Sequence, residues 1–413
     1  MFIKINSLKV LFLTQYFPPE TGAPQNRLHS LANYLSEFGA EVNILTAMPN
    51  YPKTEIYEGY KNKWYFKEKD GPITIHRSWI YVSKSKGVIS RLLNYFSFVF
   101  TSLCIGLIKV EKHNVIICES PPLFLGITAL FLKLLKGSKL VFNVSDLWPE
   151  SAEKLNIINN NFLLGISYRL EALIYKKSNL ISGQTQGIIS NINQRFPDIP
   201  THLIRNGIDT KQFSKIGNGK AFRLKHHIPE NVFVIAYAGI IGHAQGLEII
   251  IEAANQIKSE ENIIFMMVGD GPVKDELLYL AKEKKLNNIL FINSVPRNEM
   301  TDVIDACNCY VTPLRKNELF LGAIPSKIFE PLYFSKPVLL GVDGEAKNLF
   351  VEEGKCALHF EPENANALVD KIKQLYQSPE LCETLGKNGH QYVAAHFDRR
   401  KLAAQFWTRI TQL

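Results

Sequence analysis

Five short stretches of this sequence combine residue types that handle anions and hydroxyl groups. The segment GAIPSKIFEPLYFSKPVLLG (322–341) carries Ser326, Lys327 and Glu330, predicted on the first turns of a helix. Lys327 supplies a point positive charge suited to a phosphate. Glu330 follows it at i, i+3 spacing on the same helix side, and a carboxylate there can accept both hydroxyls of a ribose. A salt-bridged surface helix is the plainer alternative. VSDLWPES (144–151) ends a predicted strand and clusters Asp146, Trp148 and Glu150. Its carboxylates can act as acid, base or hydroxyl holders, and Trp148 offers a stacking face for a sugar; a helix N-cap at Asp146 is the alternative.

The other three stretches are glycine-bearing turns. TGAPQNR (21–27) runs from a strand into a helix, where Gly22 admits a ligand close to the backbone and the helix start presents free N–H groups to an anion. Arg27, at its end, is a candidate acceptor contact. YAGIIGHAQGLE (237–248) places Gly239, Gly242 and Gly246 at another strand-to-helix passage, with Gln245 among them, and suits a diphosphate. GDGP (269–272) and NSVP (293–296) are tight turns at strand ends, and Gly269, Gly271 and Val295 could frame a flat base. None of these is a GxGxxG, and no acidic residue stands where a dinucleotide cofactor would need it. A Rossmann dehydrogenase is therefore the weakest reading.

The elements needed to position these groups alternate strand and helix twice. In the first half, KVLFLTQYF (9–17), EVNILT (41–46), VIICES (115–120), KLVFNVSD (139–146) and LISGQT (180–185) are predicted strands. Leu28, Leu31, Ala32, Leu35 and Phe38 recur at helical spacing until Gly39. IRNGIDTKQF (204–213) is the expected hinge. VFVIAYAG (232–239), IIFMMVGDG (263–271), NILFIN (288–293), CYVTPL (309–314) and KPVLLGV (336–342) then restart the pattern. Continuous apolar strands separated by helices predict α/β domains with doubly wound parallel sheets. The expected division is 1–205, 206–395 and a last helix at 396–413, with two Rossmann-like domains facing a central cleft.

Composition excludes several classes. Hydrophobic residues make up 46% and charged residues 21%, as in a chain that buries real cores. Six cysteines stand without a CxxC pair, which suits a reducing cytoplasm, and Cys307 and Cys309 are expected to be packing thiols. MFIKINSLKVLFLTQYF lacks a small-residue cleavage site and is expected to open a first strand rather than a signal peptide. Residues 1–205 hold 23 Lys and Arg against 14 Asp and Glu, a formal +9, whereas 206–413 sum to −1. A basic first half predicts an anionic partner. No helix-turn-helix, zinc-finger or RNP signature is present, so nucleic acid is not expected.

One stretch names a candidate for that partner. LLNYFSFVFTSLCIGLI, between Arg91 and Lys109, holds no charge, includes Phe96, Phe98 and Phe100, and is flanked by Lys84, Lys86, Arg91, Lys109 and Lys112. At 17 residues it falls short of the ~20 needed to span a bilayer. An interfacial helix on anionic lipid and a buried core helix are both open readings. PPLFLGITALFLKLLKGSK (121–139), with Lys133, Lys136 and Lys139 at helical spacing, tilts toward lipid.

The order of QYFPPETGAPQNR, VSDLWPES, RNGID, YAG…AQGLE, VGDGP and IPSKIFE resembles, over nearly the whole chain, the glycosyltransferases of family 4. Within them it is similar to O-antigen, capsule and colanic-acid transferases of the N-acetyl-L-fucosamine transferase type. The resemblance implies the two-domain GT-B fold and retaining transfer from a nucleotide diphosphate sugar, without metal or other cofactor; the chain has no Asp-x-Asp. It implies that the second domain holds the donor and that the helix around Arg399–Ile410 returns to the first. Gly22 and Gly242 would lie by the diphosphate, Glu330 by the ribose, and Gly269, Gly271 and Val295 by the base, with Gln245, Ser326 and Lys327 also among the donor contacts. Lys327, Asp146 and Glu119 are the candidate catalytic residues, and Arg27, Trp148 and Glu150 the acceptor contacts. Many relatives carry two acidic residues eight apart; Gly322 stands at the first position and Glu330 at the second. Ile240 and Gln245 replace an Arg and a Lys of the diphosphate turn, and CESPP puts Glu119 where several relatives have His.

The expected partners are a UDP-sugar, a lipid-linked saccharide and an anionic membrane surface. The expected location is cytoplasmic, peripheral on the inner face of the membrane. A nucleotide-sugar epimerase of the same fold would need no lipid, which the 88–112 segment argues against. The missing Arg, Lys and first acidic residue motivate a silent binding subunit; the retained Lys327 and Glu330 argue against it.

Overall fold

The computed structural model describes residues 7–85, 87–154, 158, 160–213 and 217–413. Lys86, one of the expected flanking cations, lies outside them. The chain forms two compact units, residues 1–206 with 399–413, and 207–398. The expected boundaries at 205 and 395 thus stand at 206 and 398, and the hinge segment is divided after Asn206.

The first unit is built on an eight-stranded sheet. Its strands are β1 (Lys9–Leu13), β2 (Glu41–Ala47), β3 (Tyr65–Asp70), β4 (Ile73–Ser78), β5 (Val115–Ser120), β6 (Lys139–Val144), β7 (Leu180–Gly183) and β8 (Thr201–Leu203). Their order is β3-β4-β2-β1-β5-β6-β7-β8, and every pair is parallel except β3–β4. Side chains alternate across the pleat into two core layers. Val10 and Phe12 enter the layer closed by the helices Ala23–Glu37 and Arg399–Ile410, while Leu11 and Leu13 enter the opposite one. Ala403, Phe406 and Ile410 of the last helix are each 1% exposed and pack in the layer that holds Leu28 and Leu31.

The β3–β4 hairpin was not expected. Asp70 and Gly71, the latter at φ 54°, make its tight turn. YFKEKD is too charged to register as a buried strand, yet the Asp-Gly pair was a hairpin signal in its own right. Its inner face is satisfied by Arg77, 1% exposed, whose Nε donates to Glu68 at 2.5 Å.

The second unit carries β9 (Phe233–Ala238), β10 (Ile263–Val268), β11 (Ile289–Ile292), β12 (Cys309–Pro313), β13 (Val338–Gly341) and β14 (Ala357–His359). The all-parallel order is β11-β10-β9-β12-β13-β14. Val234, Ala236 and Ala238 face one core layer, and Ile235 and Tyr237 the other. Cys307 and Cys309 are 2% and 0% exposed within these layers, and all six cysteines are free thiols. In each sheet the chain starts in the middle and reverses direction, between β1 and β5 and between β9 and β12. Open α/β sheets bind ligands beyond the carboxyl ends of their strands at such switch points.

The apolar segment is a helix, Val88–Ile108, beside the helix Leu125–Lys136, which in turn neighbours Asn161–Lys177. The first is long and apolar enough to cross a membrane by length and composition, with 33% of that window buried. Phe98 is a core residue, 0% exposed, whereas Phe96 and Phe100 are 44% and 63% exposed. Lys139 begins β6 and is not on the Leu125–Lys136 helix, which Gly137 ends at φ 64°. Lys133 and Lys136 donate to the carbonyls of Lys177 and Val110, closing helix and loop ends.

Candidate active site

In the second unit the candidate site gathers where β9 and β10 end. Gly239 follows β9 at φ 140°, and a Cβ built on it would run into Lys327 Cε. The lysine chain therefore lies across a bare stretch of backbone. Its Nζ donates to Tyr237 Oη at 2.6 Å and sits 4.7 Å from that ring's centroid. Tyr237 in turn donates to the Ile240 carbonyl at 2.5 Å. Among the described residues no carboxylate is hydrogen-bonded or salt-bridged to Lys327, and desolvation pushes its pKa down to about 8. A cation held in this state is strengthened by any anion that reaches it.

The neighbouring turns are held at the same edge. A Cβ at Gly269, φ 147°, would overlap the Gly239 carbonyl oxygen, and one at Gly271, φ 157°, would overlap that of Ile241. These two turns touch backbone to backbone, which only glycine permits. Lys274, buried, donates to the Gly269 carbonyl at 3.1 Å and to Asn293 Oδ1 at 2.6 Å, tying the loop after β10 to that after β11. Val295 packs against the core from that second loop. Gly242 precedes a short 3-10 turn, His243–Gln245, and Arg315 after β12 donates to the His243 carbonyl at 2.7 Å and pairs with Glu248 at 2.6 Å.

Ser326 and Lys327 occupy a 3-10 turn, Ser326–Ile328, and Glu330 the short helix Phe329–Tyr333 that follows. The expected shared helix face is thereby divided. Lys327 turns toward Tyr237, whereas Glu330 pairs with Arg297, after β11, at 2.6 Å. Arg297 and Tyr237 were not singled out from the sequence. Period-2 alternation in YAG would have placed Tyr237 beside the ligand-side Gly239; for Arg297 no local signal exists.

In the first unit, Arg27 and Glu119 form a buried network apart from the other four expected residues, Gly22, Asp146, Trp148 and Glu150. Arg27 and Glu119 are 5% and 4% exposed and pair at 2.5 Å. Asn143 Nδ2 donates to the other Glu119 oxygen at 2.6 Å, and Ser145 Oγ donates to the first. Gln184, with its amide oriented to satisfy both neighbours, accepts from Arg27 Nε at 3.1 Å. With both oxygens hydrogen-bonded, Glu119 ties β5, β6 and the first helix together, and Arg27 is its buried counter-ion.

Asp146 differs. It keeps an exposed edge and accepts from Ser151 Oγ at 2.9 Å, while desolvation by the surrounding protein pushes its pKa up and that hydrogen bond pulls it back. Glu150 pairs with Lys154 at 2.7 Å and accepts from Asn191 at 3.1 Å. Trp148 stands edge-on to Phe124, 5.2 Å between centroids. Gly22 caps the first helix, where Gln25 Oε1 folds back over it and would meet any Cβ. Glu20, unnoticed in the sequence, accepts the amides of Asn50 at 2.7 Å and Tyr51 at 2.8 Å, fastening the loop after β1 to that after β2. Among the described residues, no cluster of three or more His, Cys, Asp or Glu is placed to hold a metal ion.

Residues 219–392 match a family model described as Glycosyl transferases group 1. The chain is 25% identical over 418 residues to the putative colanic acid biosynthesis glycosyl transferase WcaI of Escherichia coli (strain K12), covering 97% of this chain and 98% of that protein. Among solved structures, the sucrose-phosphate synthase of Thermosynechococcus elongatus superposes with a TM-score of 0.76 at 17% identity, over 98% of each chain. Alr3699/HepE of Anabaena, solved in complex with UDP-glucose, gives 0.72 at 16% identity, over 98% of this chain and 100% of that one. At such identities these likenesses speak for the fold, two parallel-sheet α/β domains of the GT-B kind. The glycine-lined edge of the second sheet falls inside the matched segment, and on these grounds the enzyme is a glycosyltransferase carrying a group 1 glycosyl transferase domain in its second unit.

Proposed function

We propose that the chain transfers a sugar from a UDP-sugar to a lipid-linked saccharide during synthesis of a bacterial surface polysaccharide. The observation that carries this is the Lys327 ammonium, half-buried, partly desolvated and laid over Gly239 at the carboxyl end of β9. The glycines at 239, 269 and 271 bring bare backbone turns together at this edge, leaving room for a diphosphate and base, and Glu330 is the carboxylate for the ribose. The donor sugar is an acetamido-sugar such as N-acetyl-L-fucosamine, and the acceptor a polyprenyl-diphosphate saccharide, as the motif resemblance implies. A UDP-glucose complex of a structural neighbour supports a nucleotide-sugar donor.

In the reaction the bond from the anomeric carbon to the diphosphate oxygen breaks and UDP departs. The acceptor hydroxyl forms the new bond on the same face and loses its proton, with retention of configuration and without a metal. Lys327 stabilises charge growing on the leaving diphosphate, the largest contribution asked of the protein. Asp146, exposed and raised in pKa, is the carboxylate for the acceptor hydroxyl. The apolar helices of the first unit hold the enzyme on the inner, anionic face of the membrane.

The test is a metal-free thermal-shift titration with UDP, GDP, dTDP and ADP. A ligand bound only by the folded state raises the melting temperature by mass action. The expected result is a shift with UDP that Glu330→Ala removes. No shift with any nucleotide would sink the donor site and favour a silent binding subunit.

A further inference from the structure

We infer that the aromatic run Phe96–Phe124–Trp148 in the first unit is the track for the hydrocarbon chain of a lipid-linked acceptor, an assignment that rests on the transferase reading above. Ile89, Leu93, Phe96 and Phe100 recur at i, i+4, i+7 and i+11 on the helix Val88–Ile108 and are 75%, 51%, 44% and 63% exposed. The two neighbouring helices also expose large apolar side chains, Leu134 at 77% and Phe162 at 74%. Exposed apolar side chains gathered on three successively packed helices mark an interaction site.

The charge on these helices selects the occupant. Arg91, Lys133, Lys136, Arg169, Lys176 and Lys177 are their basic residues, and their single acid, Glu171, is 0% exposed and paired with Arg195. Helices that expose apolar side chains and whose unburied charges are all basic complement a molecule with a hydrocarbon body and an anionic head. A lipid diphosphate has that chemistry.

What distinguishes a track from a general greasy face is where it leads. The Phe96 ring lies 4.8 Å from that of Phe124, and Phe124 lies 5.2 Å from Trp148. Tyr95 flanks Phe124 at 6.5 Å. Trp148 follows Asp146 by two residues at the carboxyl end of β6. Rings therefore run from the exposed stripe to Trp148, whose backbone N–H donates to the carbonyl of Asp146, the residue proposed for the acceptor hydroxyl. The polar side of the same helix is keyed to the β1 loop: Gln15 Nε2 donates to Asn94 Oδ1 at 2.9 Å, and Asn94 Nδ2 to the Tyr81 carbonyl at 2.6 Å. This fixes the helix azimuth, so Phe96 is held over Phe124.

The experiment uses the full chain on phosphatidylglycerol vesicles containing a polyprenyl diphosphate with a diazirine on its chain. After irradiation, labelled peptides are mapped by mass spectrometry, and UDP thermal shifts are recorded on the same preparation. The expected result is label concentrated in residues 95–100, 122–125 and 147–149, falling fivefold or more in Phe124→Leu, whose cooperative unfolding transition reports that it is folded. Label elsewhere in the first unit, or label unchanged by Phe124→Leu, overturns the track. A UDP shift without label at these rings removes the track and leaves the donor reading standing. Label at these rings without any nucleotide shift does the reverse.

Discussion

If Lys327 meets the donor diphosphate, nucleotide binding must take up protons near neutrality. The free ammonium titrates at about 8, against 10.5 for an unperturbed lysine. An adjacent diphosphate favours the charged form and raises that pKa, so each nucleotide bound pulls a proton onto the fraction of lysine that had lost it. At pH 8 that fraction is about one half, and the apparent Kd scales as 1 + 10^(pH − 8), about twofold at pH 8 and about tenfold at pH 9 relative to pH 7. UDP confounds the measurement little over this range, because the last ionisation of a phosphate lies at about 6 and is about nine-tenths complete by pH 7. Calorimetry in buffers of differing ionisation heat should show about 0.5 proton taken up per UDP at pH 8. Lys327→Met should bind weakly with no pH dependence. The unliganded protein provides an independent check. A lysine whose folded pKa lies below its unfolded value destabilises the fold fully below about pH 8, and the cost disappears as pH rises from 8 to 10.5. The cost is about 2–3 kcal/mol, allowing for the water that still reaches the side chain, so Lys327→Met should melt a few degrees higher than the parent at pH 7 and gain nothing at pH 10.5. A flat affinity between pH 7 and 9 with no proton uptake would remove Lys327 from the diphosphate site.

Arg27→Met should destabilise the first unit by about 3–5 kcal/mol, since it leaves the buried Glu119 charge without its counter-ion; urea unfolding reads this directly, and a change below 1 kcal/mol would contradict the anchoring role. Ile89→Ser with Phe100→Ser, at the two most exposed positions of the helical stripe between residues 89 and 100, should weaken binding to phosphatidylglycerol vesicles by about 2–4 kcal/mol, 30-fold or more. Sedimentation with vesicles measures it, and an unchanged bound fraction would assign the face to another partner. Phe98→Ser is not a useful variant, because Phe98 is core.

The sheets were legible because parallel strands buried on both faces are continuous apolar runs, and ten of them could be read directly. The β3–β4 hairpin escaped because its outer strand is charged, and β8 and β14 because three residues leave no period. The candidate site was legible where chemistry and backbone need coincide, as at Gly239, Gly269 and Lys327. Partners escaped where they come from distant segments. Nothing near Glu330 announces Arg297, and nothing near Glu119 announces Arg27, 92 residues away. The motif that put Glu119 in a catalytic list cannot tell an accessible carboxylate from one whose oxygens are already occupied. Only the third dimension supplies Asn143, Ser145 and Gln184.

The closing helix has a consequence for biosynthesis. Ala403, Phe406 and Ile410 complete the core layer begun by Val10 and Leu28, so the first unit is split by the second in the order of translation. At roughly 5–20 residues per second, the ribosome needs about 10–40 s to travel from Asn206 to Ile410. During that interval the second unit, contiguous from 207 to 398, can fold while the first waits with one face of its sheet open. The unit made first is finished last. Its nascent form is a client for chaperones or for early membrane contact, and a stop codon shortly before residue 399 would leave an intact second unit tethered to an incomplete partner.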